Sequence, residues 1–332
     1  MTLFGSKLDK LEESLSKTTK VALSEKEKFE FAVYDESSAQ KTGYSNYSYW
    51  GSTVQAFLRN KLAVTLMVTI IFILLFTCIQ PLLPSQFDPN LVNNDAKGMQ
   101  LRNLQPNARF WFGTNSIGQD LWSRVWAGTR TSLTIGFFVA IIEAALGITV
   151  GILWGYVRKL DFIFTEVYNV LDNIPSTIVL ILFSYVMRPS IKSLIIAMCL
   201  TRWISMARFI RNQILMIRDR DYNLASRCLG TKTKRIIFRN LLPYLVSVIM
   251  LSMALAIPAA IGSEVFITYI GLGLPVNIPS LGNLITTGRT LLMSPGLRYQ
   301  LIFPTVVLSI VTISFYIIGN AFADAADPKN HV

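Results

Sequence analysis

The 332-residue chain is 52% hydrophobic and only 15% charged, with a mean hydropathy of +0.45. It is too apolar for a water-soluble fold, so a lipid bilayer is the expected solvent. The net charge of +11 does not indicate nucleic acid, because Lys and Arg fall in gaps between apolar runs and not along one amphipathic face. Cys78, Cys199 and Cys228 are too scattered for a disulfide framework or a CxxC metal site, and His331 as the single histidine excludes His-based triads and HExxH zinc centres.

In chain order, residues 1–61 form a polar tail in which Phe4, Leu8, Leu11 and Leu15 recur at helical spacing. That pattern fits a short amphipathic helix on a membrane or a partner, and also a plainly solvated tail. Residues 37–52 read as a linker. So long a polar lead excludes a cleaved signal peptide as the first apolar run. A hydrocarbon core of roughly 30 Å needs about 20 apolar helical residues. Six spans meet that criterion: 62–83, 132–156, 167–187, 193–209, 243–269 with a kink expected at Pro258, and 301–322. The fold expected is an all-α integral membrane protein, with 84–131 as an outer loop, 132–322 as a five-helix core and 323–332 as a short tail.

Orientation follows from the basic residues, which concentrate on the cytoplasmic side. With the N-terminus inside, 22 of the 31 Lys and Arg fall on inner segments, counting Arg202 through Arg239 in the loop before the fifth span. Both termini are therefore expected to be cytoplasmic.

Gly147, Gly151 and Gly155 recur every four residues in the second span, a stripe that lets another helix backbone approach closely. Glu143, near the middle of that span, must face protein or a water-filled path. It reads equally as a structural hydrogen bond or a pathway group. Glu264 is expected near the outer end of the fifth span, reaching the interface. Gly113 and Gly118 permit tight turns, and Trp122 with Trp126 suggests a helix lying at the outer interface. The Gly/Pro-rich stretch 271–295 is too broken for a plain span, yet apolar enough to dip into the membrane where protein or a cavity covers it.

The segment 211–243, RNQILMIRDRDYNLASRCLGTKTKRIIFRNLLP, is basic and amphipathic. Ala225 and Ser226 are small enough to let a partner surface approach, Gly230 can end or bend a helix, and Pro243 suits the first turn of the next. An ordinary basic loop would explain the charges but not this ordered set.

Here the chain resembles the docking loop of bacterial ABC importer permeases, EAA, three residues, Gly, nine residues, I-x-L-P. Leu224-Ala225-Ser226 stands for EAA, Gly230 is in register, and Asn240-Leu241-Leu242-Pro243 closes the motif. Leu224 replaces the acid and Asn240 the isoleucine, but LASRCLG is similar to the L-A-A-R-x-L-G form of the peptide branch. The run 112–120 (FGTNSIGQD) continues to Ser123-Arg124 and to Gly128, Arg130, Ser132 and Leu133. It resembles the FGTDxLGRD...SR...GxRxSL signature of oligopeptide and dipeptide permease C subunits, with Asn115 and Gln119 in place of Asp and Arg. Glu264, 270–273, 279–283 and 325–328 resemble that family's later motifs.

The resemblance implies a type I ABC importer permease fold in a bacterial plasma membrane. It assigns coupling to an ATPase to Tyr222, Leu224, Ala225, Ser226, Arg227, Gly230 and Pro243. The outer motif is carried by Gly113, Thr114, Gly118, Asp120 and Arg124. Implied partners are a homologous second permease, one or two ATPase subunits and an external peptide-binding protein. ATP and Mg would sit on the ATPases, since this chain has no GxxxxGK[ST] loop and no cofactor or metal of its own. Oligopeptides would move by alternating access. The main rival is an ion- or proton-coupled secondary transporter using Glu143 and Glu264, although no paired half-helix repeat is evident. A membrane-anchored scaffold is the other.

Overall fold

The computed structural model describes residues 49–326, whose regular elements are all helices; residues 83–120 form a long irregular loop that carries isolated β-bridges such as Val92 with Gln119. The amphipathic helix expected over 4–15 lies outside the described residues. Helix α1 (Tyr49–Arg59) overlaps the expected linker and leads at Asn60 into α2 (Lys61–Ile79), where the Asn60 side chain accepts the Ala63 N–H. Pro81 closes α2 with a single 3-10 turn.

The second span starts eleven residues before the expected position, because α3 runs over Leu121–Tyr156 from an N-cap at Asp120 that accepts the Ser123 N–H. Its 36 residues measure roughly 54 Å, well beyond a hydrocarbon core. Arg124 and Arg130 hide this start from any hydropathy criterion. Trp122 and Trp126 therefore belong to the first turns of α3 and not to a separate interfacial helix.

The third span departs most from expectation. It is two helices, α4 (Arg158–Asp172) and α5 (Ser176–Val186), bent by 73°. Pro175 supplies the cause, since it donates no backbone hydrogen bond and disfavours helical backbone at Ile174. Next come α6 (Ile191–Ile217), α7 (Asp221–Cys228) and α8 (Thr233–Ile236), which passes through a π turn at Ile237–Leu241 into α9 (Leu242–Tyr269). Pro258 sits inside the unbroken α9. The stretch 271–295 contains α10 (Leu281–Arg289), and α11 (Tyr299–Ala326) completes the order. Among the described residues five helices are long and apolar enough to cross a membrane, or six when the bent α4–α5 pair counts as one span.

Helices α3 and α6 form the most extensive seam. A Cβ on Gly151 would stand 2.6 Å from the Ala207 carbonyl oxygen, and one on Gly155 would stand 2.8 Å from Ile214 Cβ, so both glycines sit where α6 leaves no room. Gly147 faces Met206 in the same way. One core cluster joins Ile135, Val139, Met198, Ala260 and Ile267 across α3, α6 and α9. Another joins Ile210, Ile214, Ile217, Ile236, Leu241 and Leu245 at the α7 end. Helix α2 lies along α11 and α3 through Ile70, Ile73 and Val311. Bulky apolar groups such as Phe72, Phe162 and Tyr185 face outward, as a bilayer solvent allows.

Candidate functional site

Helix α7 is fastened on one face and bare on the other. The buried Asn223 amide donates to the Ile217 carbonyl at 2.8 Å and accepts from the Asn240 amide at 3.0 Å, joining α7 to the end of α6 and to the π turn. It thereby adds a second donor to a helix-end carbonyl that also accepts the Arg220 N–H at 3.3 Å. Arg227 donates to Asp219 at 3.2 Å and to the Arg218 carbonyl at 3.0 Å, with its guanidinium over the Tyr156 ring. Arg218 reaches the Gly155 carbonyl at 2.7 Å and Asp219 at 2.9 Å. The Arg218 hydrogen bond holds the Asp219 carboxyl below the usual carboxylate range. The ends of α3 and α6 are thus tied to α7.

The opposite face carries exposed Tyr222, Leu224 and Ala225, with Leu229 85% exposed just beyond. Ser226 turns its hydroxyl back to the Tyr222 carbonyl. Gly230, at φ +74°, closes the helix: its N–H bonds the Arg227 carbonyl and the Thr231 N–H bonds the Ser226 carbonyl. This double closure needs a left-handed residue at that position, which glycine adopts at least cost. Pro243 occupies the first turn of α9.

At the other end of the bundle the outer motif holds its loop in shape. Thr114 Oγ1 donates to the Leu101 carbonyl at 2.6 Å and accepts the Leu104 N–H at 2.9 Å, while the Gly118 carbonyl accepts from Asn93. Gly113 and Gly118 both take positive φ. The Arg124 guanidinium reaches Gln119 at 2.7 Å, the Pro89 carbonyl at 3.1 Å and the Val276 carbonyl at 3.0 Å, pinning residues 86–120 to the segment before α10. Burial raises the Asp120 carboxyl above its ordinary range, against the opposing N–H bond from Ser123.

Glu264 does not reach an interface. It is fully buried, accepting from Ser280 at 2.7 Å, Ser132 at 3.0 Å and Thr268 at 3.2 Å. A side chain on Gly282 would fall 2.5 Å from its Oε1. Glu143 accepts from Arg202 Nε at 2.9 Å. Arg202, counted above with an inner loop, lies instead in the middle of α6. Among the described residues the two acids share no partner. Among the described residues no group of three or more His, Cys, Asp or Glu is placed to hold a metal ion.

Residues 147–332 match the family described as binding-protein-dependent transport system inner membrane component. The chain belongs to this family. Residues 48–106 also match the N-terminal transmembrane domain of oligopeptide transport permease C. The chain is 38% identical to the oligopeptide transport system permease protein AmiD of Streptococcus pneumoniae, over 92% of this chain and 98% of that one. It is 33% identical to the oligopeptide transport system permease protein OppC of Bacillus subtilis, over 92% and 97%. The dipeptide transport system permease protein DppC of the same organism is 36% identical over 82% and 83%. A looser likeness to the methionine ABC transporter MetNI, at 19% identity and a TM-score of 0.48 over 61% of this chain and 96% of that one, adds nothing to the assignment.

In this transport-system membrane component, Tyr222, Leu224, Ala225, Ser226, Arg227 and Gly230 share one short helix and its closing turn, with Pro243 beyond the π turn. The three glycines lie on the α3–α6 seam. Asn223, Arg218, Asp219 and Tyr156, which tie α7 down, escape a sequence reading. A faint signal existed: two arginines flank an acid at the end of α6, where cations favour a helix C-terminus.

Proposed function

We propose that the chain is the transmembrane permease subunit of an ATP-binding-cassette importer that carries oligopeptides into a bacterial cell by alternating access. Helix α7 is its joint to separate ATPase subunits. The observation that carries this reading is the two-sided character of α7, with an exposed stripe of Tyr222 and Ala225 backed by hydrogen bonds to the end of α6 and to the π turn and by the Arg227 guanidinium over Tyr156 of α3. A joint must grip its partner on one face and pass force on the other. The names of the oligopeptide relatives support the substrate class. A second permease would complete the pathway, an external peptide-binding protein would deliver the cargo, and ATP and Mg would stay on the ATPases. The secondary-transporter reading is weaker because Glu143 is ion-paired and Glu264 is enclosed by three hydroxyls.

The test is purification of the tagged chain from its own membrane. ATPase and second-permease subunits should co-elute, and hydrolysis should appear only in fractions that contain the ATPase. Turnover by the chain alone, free of contaminating ATPases, refutes the reading.

The same reading places 83–120 outside and α7 inside. With native cysteines removed, an impermeant thiol reagent on intact cells should label a cysteine at Lys97 and spare one at Lys232. The reverse pattern means the topology is inverted.

A further inference from the structure

Between α5, α6 and α9 lies a cleft of roughly 300 Å³, of the size class of small ligand sites. Its walls include Ser176, Thr177, Thr201, Arg202, Gly262 and Ser263. Hydroxyls in this protein's helices usually return to a carbonyl four residues back, as those of Thr129, Thr134, Thr149, Ser252 and Ser263 do. The hydroxyls of Ser176, Thr177 and Thr201 make no hydrogen bond among the described residues. Arg202 gives its Nε to Glu143, and its two Nη groups likewise bond nothing there. Ser176 and Thr177 are exposed and Thr201 and Arg202 half-buried, so these groups open onto the cleft. At membrane depth such polar groups are costly where lipid meets them and are served where water or a ligand does. Gly262 points the same way: a Cβ there would meet nothing within 4 Å, so no packing need of this chain explains the missing side chain.

We propose that this cleft is the chain's contact with the moving peptide, in which Arg202, steadied by Glu143, donates to main-chain carbonyl and C-terminal carboxylate oxygens while the Ser176, Thr177 and Thr201 hydroxyls serve neighbouring main-chain groups. The inference rests on the oligopeptide reading above. Such contacts ignore side-chain identity, which suits a permease that passes many sequences. Glu143 orients the guanidinium and offsets its charge, leaving the Nη edge for cargo.

The test uses the complete complex in liposomes with a labelled pentapeptide. The double variant Glu143→Gln/Arg202→Gln removes both members of the half-buried ion pair together, which avoids stranding either one. Complex yield should stay near wild type while the KM for uptake rises about tenfold, the loss of one charge-assisted hydrogen bond. A photocrosslinking residue at Gly262 should capture the peptide during ATP-driven uptake. Wild-type KM with normal yield, or a Gly262 crosslink to the second permease with no peptide captured, overturns the inference. Should the double variant assemble poorly, the crosslink alone decides. A wild-type complex that imports no peptide overturns the oligopeptide reading itself, and this separate arm distinguishes the two failures.

Discussion

Ala225→Trp is expected to lower peptide uptake at least tenfold while leaving the membrane helices folded. Ala225 is exposed on α7, on the stripe that Tyr222 shares, so an indole there meets solvent in the isolated chain. Exposed substitutions of this kind change folding stability by only about 0.5 kcal/mol. In the complex the same indole occupies space that an ATPase groove must fill. If the complex still assembles, uptake should fall more than ATP hydrolysis does, because a misfitted joint lets hydrolysis proceed without passing on motion. If it fails to assemble, docking itself needs the small residue. Gly230→Val attacks the joint differently, forcing a β-branched residue to φ +74° at a cost of about 1–3 kcal/mol in the closing turn. Uptake by reconstituted vesicles and subunit stoichiometry after purification are the measurements. Both variants, made separately, leaving uptake and stoichiometry unchanged would falsify the ATPase-joint assignment of α7.

Gly151→Leu is expected to remove the folded chain from the membrane. The added Cβ would lie 2.6 Å from the Ala207 carbonyl oxygen and 2.7 Å from Ile210 Cβ. The first neighbour is backbone, so relief requires α6 to shift away from α3 along its longest seam. Overpacking a tight core typically costs about 1–3 kcal/mol or more, and domains have only about 5–15 kcal/mol to lose. Ala145→Leu serves as the control, since Ala145 lies exposed on the same helix. The chain's abundance in membranes should collapse for Gly151→Leu and hold for Ala145→Leu. Equal abundance would show that the α3–α6 approach is looser than described.

Those glycines were legible because a four-residue repeat is a one-dimensional pattern that matches helix geometry directly. Apolar runs were legible for a similar reason, since a bilayer selects for length and composition. What escaped depends on partners distant in the chain. Nothing near Glu264 announces that Ser132 and Ser280 will enclose it, and nothing near Glu143 announces Arg202. The start of α3 was missed because Arg124 and Arg130 lower local hydropathy, although Asp120 is a good capping residue. The break in the third span was readable in principle from Ile174-Pro175, and a length criterion alone passed over it. Within α7 the exposure of Ala225 matches the small-residue pattern, whereas Asn223 and Arg218, which hold the other face, take meaning only from the positions of Ile217, Asn240 and Gly155.

The two fastenings at opposite ends of the bundle answer differently to salt. Glu264 holds α10 to α3 through neutral hydroxyls in a fully buried pocket, where mobile ions do not enter. Asp219 is 41% exposed and works through guanidinium groups, so the surrounding electrolyte screens it over a Debye length of about 8 Å at physiological ionic strength. Rising salt therefore slackens the bracing of α7 and leaves the α10 attachment unaltered, and the protein grips less firmly at one end only.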